Sequence, residues 1–343
     1  MTSVDDEWEN FINNNEEDNE IFVSRDEVET NHNNIIPECS EIKISTKTKI
    51  IYLNKEIDLY SLFWKLKTID YMDLKEGILK KQIKYNFNSK DEIKEIEEKI
   101  KNEKNVSIKI IKQVDNPSGR VKFKDIRKIT IGLTKIDILT KKVKEKSAFY
   151  NCFVVIMRIF LDPDYKEYHI KVFNTGKLEI PGIKEDSVLD KIISKFINCI
   201  QPFYNEKIYN IVEKNQTVLI NSNFTCNYYI NREKLFNILK YKYQIKSNYD
   251  PCSYPGILCR KYKYKDYTLS FMIFRTGSVL IVGKCEINII HEIYLFLKKL
   301  FHDEFNEISI PLESYIHEKE KFIQDKKDKI MNKKKRKKII FIK

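Results

Sequence analysis

The chain lacks any run of 18 apolar residues, and it has no charged-then-apolar start of the secretory kind. A helical membrane span is therefore not expected, and an intracellular location is. Seven cysteines are present (Cys39, Cys152, Cys199, Cys226, Cys252, Cys259, Cys285), yet none forms a C-x-x-C pair. An odd, scattered set fits reduced, mostly buried thiols better than a disulfide frame or a zinc site. The five histidines are equally dispersed. There is no G-K-[ST] loop to cradle phosphates, no G-x-S-x-G elbow and no carboxylate pair with metal-ligand spacing. Asp162 and Asp164 flank Pro163 and read as turn residues. Neither catalysis, nor a metal, nor a cofactor is expected.

What the sequence does have is charge, unevenly placed. Residues 1–41 hold thirteen acids against Arg25 alone, a net of −12. The whole chain carries +12, so residues 42–343 carry +24. A strongly basic body with an acidic tail is the asymmetry of a nucleic-acid binder. The tail is polar and without periodicity, and reads as disordered. Trp8, Phe11, Ile21 and Phe22 dot its acids, so it could also lie against the basic body as a mimic of a polyanion. Deleting residues 1–41 should then tighten binding to duplex DNA, measured by fluorescence anisotropy; unchanged affinity would discard the mimic. The other end is basic, with Lys333-Lys334-Lys335-Arg336-Lys337-Lys338 as a nuclear-import or nucleic-acid patch.

The body says the same thing twice. Phe173-Asn174-Thr175-Gly176 opens an extended run that ends at Gly182, and Phe274-Arg275-Thr276-Gly277 opens one that ends at Gly283. Each copy follows a β-rich stretch and leads into an apolar-periodic helix, over Asp186 to Ile200 and Ile287 to Phe301. Ahead of them come a strand from Lys43 to Leu53 with a helix capped by Asp58, and a strand from Gln216 to Tyr229 with a helix from Arg232 to Lys242. Strands are also expected over Glu76 to Phe87, Ala148 to Phe160, Gly256 to Tyr264 and Tyr267 to Phe274. A helix over Asp91 to Lys101 and a hairpin around Asp115-Asn116-Pro117-Ser118-Gly119 read as an insertion at about 88–147. The expected organisation is a tail over 1–41, a first repeat over 42–205, a second over 206–305 and a basic tail over 306–343. Doubling this order implies an α+β fold, with helices packed on one face of a sheet and the other face open.

At this point the residues resemble a known family. Tyr249-Asp250-Pro251-Cys252-Ser253-Tyr254-Pro255-Gly256-Ile257-Leu258-Cys259-Arg260, then Phe274-Arg275-Thr276-Gly277 through Gly283, is similar to the second repeat of TATA-box-binding proteins. That repeat reads Y-E-P-x-x-F-P-G-L-I-Y-R, then I-F-x-S-G-K-x-V-x-T-G. Val172-Phe173-Asn174-Thr175-Gly176-Lys177 is similar to the first repeat. The likeness covers most of residues 43–303, and its divergence resembles versions carried by large DNA viruses. It implies two pseudo-symmetric repeats forming a saddle, whose curved antiparallel sheet lies on the DNA minor groove with the helices on the convex face. Aromatic wedges pry open base steps at each end in this family.

By this resemblance Phe173 and Phe274 match a wedge in each repeat, and Tyr254 stands at the other wedge position of the second. Arg260 and Lys177 match phosphate contacts, which set register without reading sequence. Strand alternation from Phe274 brings out Thr276, Ser278, Leu280 and Val282, small or apolar groups suited to a groove floor of acceptors. From Phe173 it brings out Thr175, Lys177, Glu179 and Pro181. Asn221 or Asn223 corresponds to the asparagine near the groove centre. Two alignments are open for the rest of the first repeat. Either Glu76-Gly77-Ile78-Leu79-Lys80-Lys81 parallels Pro255 to Arg260, which preserves the internal repeat and leaves Lys75 where a wedge should be; or Tyr150 to Arg158 does, making Phe153 the wedge and Arg158 the phosphate contact. Glu179 is the discordant residue: a carboxylate facing that groove needs a guanine amino group or a lysine to satisfy it.

The function implied is that of a general transcription initiation factor. It would bind and bend double-stranded AT-rich promoter DNA and recruit a B-type factor and RNA polymerase. It would act as a monomer off the membrane, in the nucleus or in a viral factory in the host cytoplasm. The competing expectation is a module of the same fold that has lost sequence-specific DNA binding and uses the open face for a protein.

Overall fold

The computed structural model describes residues 36–139 and 151–311. Every element described lies in one unit of the chain, Pro37–Lys343. Most of the acidic tail and the whole lysine run fall outside the described residues.

The first elements are β1 (Lys43–Tyr52), α1 (Leu59–Lys65), β2 (Gly77–Phe87), α2 (Lys90–Lys101), β3 (Val106–Asp115), β4 (Phe123–Gly132) and α3 (Lys135–Leu139). Next come β5 (Cys152–Leu161), β6 (Asp164–Phe173), β7 (Lys177–Ile183) and α4 (Asp186–Ile200). The remainder is β8 (Gln216–Thr225), β9 (Tyr229–Ile230), α5 (Arg232–Asn237), β10 (Ile257–Tyr264), β11 (Tyr267–Ile273), β12 (Ser278–Gly283), α6 (Ile287–Asp303), α7 (Phe305–Ile308) and β13 (Ser309–Ile310). The helix expected over Arg232 to Lys242 is α only to Asn237. It widens into a π turn over Ile238–Lys242, beside the ion pair of Lys242 with Glu304. Among the described residues, no helix is long and apolar enough to cross a membrane.

Eleven strands form one antiparallel sheet in the order β10-β11-β12-β8-β1-β7-β6-β5-β2-β4-β3. Its middle is the β8–β1 pair, and the two halves run outward from there as β8-β12-β11-β10 and β1-β7-β6-β5. The fourth place from the joint, held by β10 in one half, is thus held in the other by β5 and not by β2. Beyond β5 the sheet continues through β2, β4 and β3, whereas among the described residues only an isolated bridge of Asn248 to Leu258 lies past β10.

The duplicated T-G turn has a common mechanical role. Gly176 (φ +76°) and Gly277 (φ +81°) both take the left-handed backbone that favours glycine. The Gly176 carbonyl accepts from the Leu53 amide at 2.9 Å, and the Asn174 carbonyl from Ile57 at 2.8 Å. In the other half the Gly277 and Arg275 carbonyls accept from Cys226 and Ile230, 2.9 Å each. Each turn is therefore stitched to the segment that leaves the first strand of its own half. A cap follows directly: Asp58 accepts from the Tyr60 and Ser61 amides, Asn231 from that of Lys234.

All the large helices lie over one face. Leu62, Phe63, Leu189, Ile192 and Phe196 close one core over β1, β5, β6 and β7. Leu235, Ile290, Ile293, Leu297 and Phe301 close the other over β8, β10, β11 and β12. A fully buried lysine completes the first core. Lys81 of β2 donates to the carbonyls of Phe63 (3.0 Å) and Leu66 (2.6 Å) and pairs with Glu103, satisfying the C-terminal end of α1. Burial lowers its pKa, against the pull of Glu103.

Candidate nucleic-acid interface

Strand alternation, anchored on the core residues, settles which side chains reach the opposite face. In β6 and β7, Ile170, Val172, Leu178 and Ile180 enter the core, so Lys171, Phe173, Lys177 and Glu179 point away from it. In β11 and β12, Phe271, Ile273, Val279 and Ile281 are core. Met272, Phe274, Ser278, Leu280 and Val282 therefore take the other side. Cys259 of β10 and Ile220 and Phe224 of β8 are core, which places Arg260, Asn221 and Asn223 opposite as well. Thr175 and Thr276 occupy the exposed turns themselves, where the Thr276 hydroxyl donates to Ser278 Oγ at 3.2 Å.

The second half presents an aromatic pair over an apolar floor. The Tyr254 and Phe274 rings lie 6.0 Å apart at 56°. Gly256 sits beneath both, and a Cβ there would come within 3.1 Å of each ring. Tyr254 donates its hydroxyl to Met272 Sδ at 3.0 Å. Leu258, Met272, Leu280 and Val282 supply the floor, with Arg260 exposed at its edge.

The first half is chemically different. Phe173 is only 7% exposed, because the Lys177 ammonium lies 4.2 Å from its ring centroid. Cys152 faces Phe173 across the β5–β6 pair, and burial pushes its thiol up to about 11 against the pull of Lys171 and Lys177. Where the second half pairs Met272 with Leu280, the first pairs Lys171 with Glu179, Nζ to Oε1 at 2.5 Å. Glu179, 2% exposed, thus finds a lysine inside its own sheet. Lys171 escaped the sequence reading. Its signal was present, since it stands two residues before Phe173 on the same strand.

The first-half alternatives come out otherwise than expected. Phe153 points to the core, 0% exposed, with its ring 5.9 Å from that of Phe63 in α1, so it offers no wedge. Arg158 does take the opposite face, but both terminal nitrogens donate to backbone carbonyls, of Asp73 and Tyr71 at 2.7 Å, leaving it 4% exposed. It ties down the 71–73 loop. Lys75 lies in that region too, ion-paired with Asp73 at 2.7 Å. The strand pairings set Val154 against Lys171 where Leu258 stands against Met272. Counting back, the place of Tyr254 falls at residue 150, outside the described residues.

At the joint, Asn221 donates from Nδ2 to Thr46 Oγ1 at 3.1 Å, and Asn223 Oδ1 accepts from Ser45 Oγ at 3.0 Å. Asn221 Oδ1 is buried with no hydrogen-bond partner. The face therefore runs from an aromatic, apolar half, across a band of amides and hydroxyls, to an ion-paired half. Such a surface can pack on sugars and base edges and accept or donate a few hydrogen bonds.

No family model matches the sequence. The chain is 28% identical to a protein of Acanthamoeba polyphaga mimivirus named "TATA-box-binding protein-like", over 55% of this chain and 58% of that one. It thus spans under two thirds of that relative's length. Among solved structures it is similar to the Methanococcus jannaschii TBP at 14% identity and a TM-score of 0.38, over 75% of this chain and 97% of that one.

Proposed function

We propose that this chain, similar in sequence to the TATA-box-binding protein-like protein of a large DNA virus, binds AT-rich promoter duplex in the minor groove and bends it. It does so without catalysis, as a monomer, and the bent complex recruits a B-type factor and RNA polymerase. The observation that carries this reading is the doubled open face: each half sets a phenylalanine beside a T-G turn on the side away from its core, and the halves meet at the β1–β8 joint. Rings so placed are suited to enter base steps. Arg260 and Lys177 supply phosphate contacts, and AT-rich sequence with its flexible T-A steps lowers the cost of deformation. On this reading the repeats are β1-α1-β5-β6-β7-α4 and β8-α5-β10-β11-β12-α6, and the stretch from β2 to α3 is the insertion. A host nucleus and a cytoplasmic viral factory are equally suitable places for such work.

Labelled duplexes carrying a TATA-like site and a GC-substituted twin test it. The expected result is salt-sensitive anisotropy that favours the AT site, with a shortened end-to-end distance by energy transfer. Equal binding to both duplexes without shortening would overturn it.

One observation favours the second reading, a protein-interaction module. The first half has replaced the apolar pair of the second by Lys171–Glu179 and has engaged Arg158 with backbone carbonyls. That half is poorer in groups for a groove floor, and a protein partner would bind the same face with no preference for AT sequence.

A further inference from the structure

The ion pair on the open face of the first half satisfies only one of its two carboxylate oxygens. Glu179 Oε1 is held by Lys171, while Glu179 Oε2 is buried with no hydrogen-bond partner among the described residues. The cause is the row in which the residue stands. Val154, Lys171, Glu179, Ile50 and Gln216 face one another in turn across β5, β6, β7, β1 and β8. Lys171 is engaged with the other oxygen, and the side chain of Ile50, the neighbour on the β1 side, has no polar atom to offer. An ionised carboxylate only accepts, so no rotation of its own satisfies Oε2. Asn221 Oδ1, at the joint, is also buried without a partner, but an amide can turn over and present its NH2 group instead.

The second half shows the same row without this atom. Its members are Leu258, Met272, Leu280, Asn223 and Lys43, and Leu280 stands where Glu179 does. The carboxylate therefore belongs to one half only, on a strand that lies between the Phe173 strand and the β1–β8 joint. A duplex on this face meets Oε2 with the floor of its minor groove. A·T and T·A pairs offer acceptors alone there, and a carboxylate oxygen set against them stays unsatisfied. The guanine amino group is the one donor that any base pair offers in that groove.

We propose that Glu179 is a specificity-determining residue, whose Oε2 accepts a hydrogen bond from the amino group of a single guanine in the half-site bound by the first repeat. The inference rests on the minor-groove reading above and adds one G·C pair to an otherwise AT-rich site. Lys171 stays as the counter-ion, and its ammonium offsets the repulsion between the carboxylate and the phosphates nearby. Its flexible stem, on a side chain that keeps 19% of its surface exposed, moves aside to admit the base edge. Because Leu280 has no acceptor, the guanine also fixes which way the complex lies on its site.

The full chain is titrated by fluorescence anisotropy on a TATA-like duplex in which each A·T pair in turn becomes diaminopurine·T, G·C or inosine·C. Diaminopurine adds the minor-groove amino group to adenine and inosine removes it from guanine, so that group is varied apart from the rest of the pair. At one position, on one side of the centre, diaminopurine·T and G·C should bind about 10-fold tighter than A·T, the effect of one hydrogen bond to a charged group. Inosine·C should give no such gain there. In a Glu179→Leu, Lys171→Met variant, which gives the first half the residues of the second, the gain should vanish. Glu179→Gln keeps an acceptor without the charge, should retain about 3-fold of the gain, and stands in should the double variant fail to fold. A duplex series in which the amino group tightens binding at no position, a gain that inosine·C shares, or a full gain in both variants would overturn the guanine readout while leaving bending of the AT-rich duplex intact. Absence of bending or of AT preference in the unmodified chain would overturn the underlying reading and this inference with it.

Discussion

Replacing Phe173 and Phe274 together with alanine is expected to abolish bending of an AT-rich duplex while leaving its salt dependence in place. Both rings lie on the face away from the cores, each beside a T-G turn anchored by backbone hydrogen bonds. Stacking a ring on a base contributes about 1–3 kcal/mol, so removing two should weaken binding at least about 30-fold. The counterion term depends on lysines and arginines that the variant keeps, so the slope of log affinity against log salt should not change. Phe173→Ala also frees Lys177 from the ring it covers, and Phe274→Ala strips Tyr254 of its partner. Energy transfer across the labelled duplex separates the outcomes. A distance that stays short in the double variant would show that the bend comes from something other than these rings.

Gly277→Ala should unfold the second half of the sheet at a markedly lower temperature. At φ +81° an alanine carries the left-handed strain of about 1–2 kcal/mol. The larger problem is space: its Cβ would lie 2.4 Å from the Tyr228 carbonyl oxygen and 2.8 Å from Cys226 Sγ. Backbone cannot give way there without breaking the Cys226 and Ile230 hydrogen bonds to the turn. The combined cost is roughly 2–5 kcal/mol, a fall in Tm of about 5–15 °C. Gly182 is the internal control, since it has φ +82° but nothing within 4 Å of an added Cβ. Gly182→Ala should therefore lose only the strain, about 1–2 kcal/mol. Equal losses by thermal circular dichroism would mean that the clash is not what requires glycine at the T-G turn.

These two sites mark where sequence reasoning was strong. The T-G repeat was visible because a left-handed turn pressed against a carbonyl tolerates one residue type. Helices α4 and α6 were visible because each has a single apolar face. Asp58 signalled the start of α1 by capping it, a contact made within three residues.

Phe153 shows where that reasoning stopped. Strand β5 reads Cys-Phe-Val-Val-Ile-Met-Arg-Ile-Phe-Leu, apolar toward both faces, so it carries no period-two signal to say which side each residue takes. Sequence alone also left β2 and β5 as rival counterparts of β10. Gly77-Ile78-Leu79 of β2 matches Gly256-Ile257-Leu258 locally, while β5 is an apolar run of similar length, and only pairing across the sheet tells that β5 sits fourth from the joint.

The sequence by itself determined the local matters: a doubled α+β unit, its turns, caps and helix faces, and a basic body. These follow from contacts a few residues apart and from composition. The tertiary structure alone decided the strand order, the burial of Phe153, the pairing of Lys171 with Glu179 and the capture of Arg158 by the 71–73 loop. Each depends on register between strands distant in the chain. A shift of one residue would send every side chain of a strand to the other face.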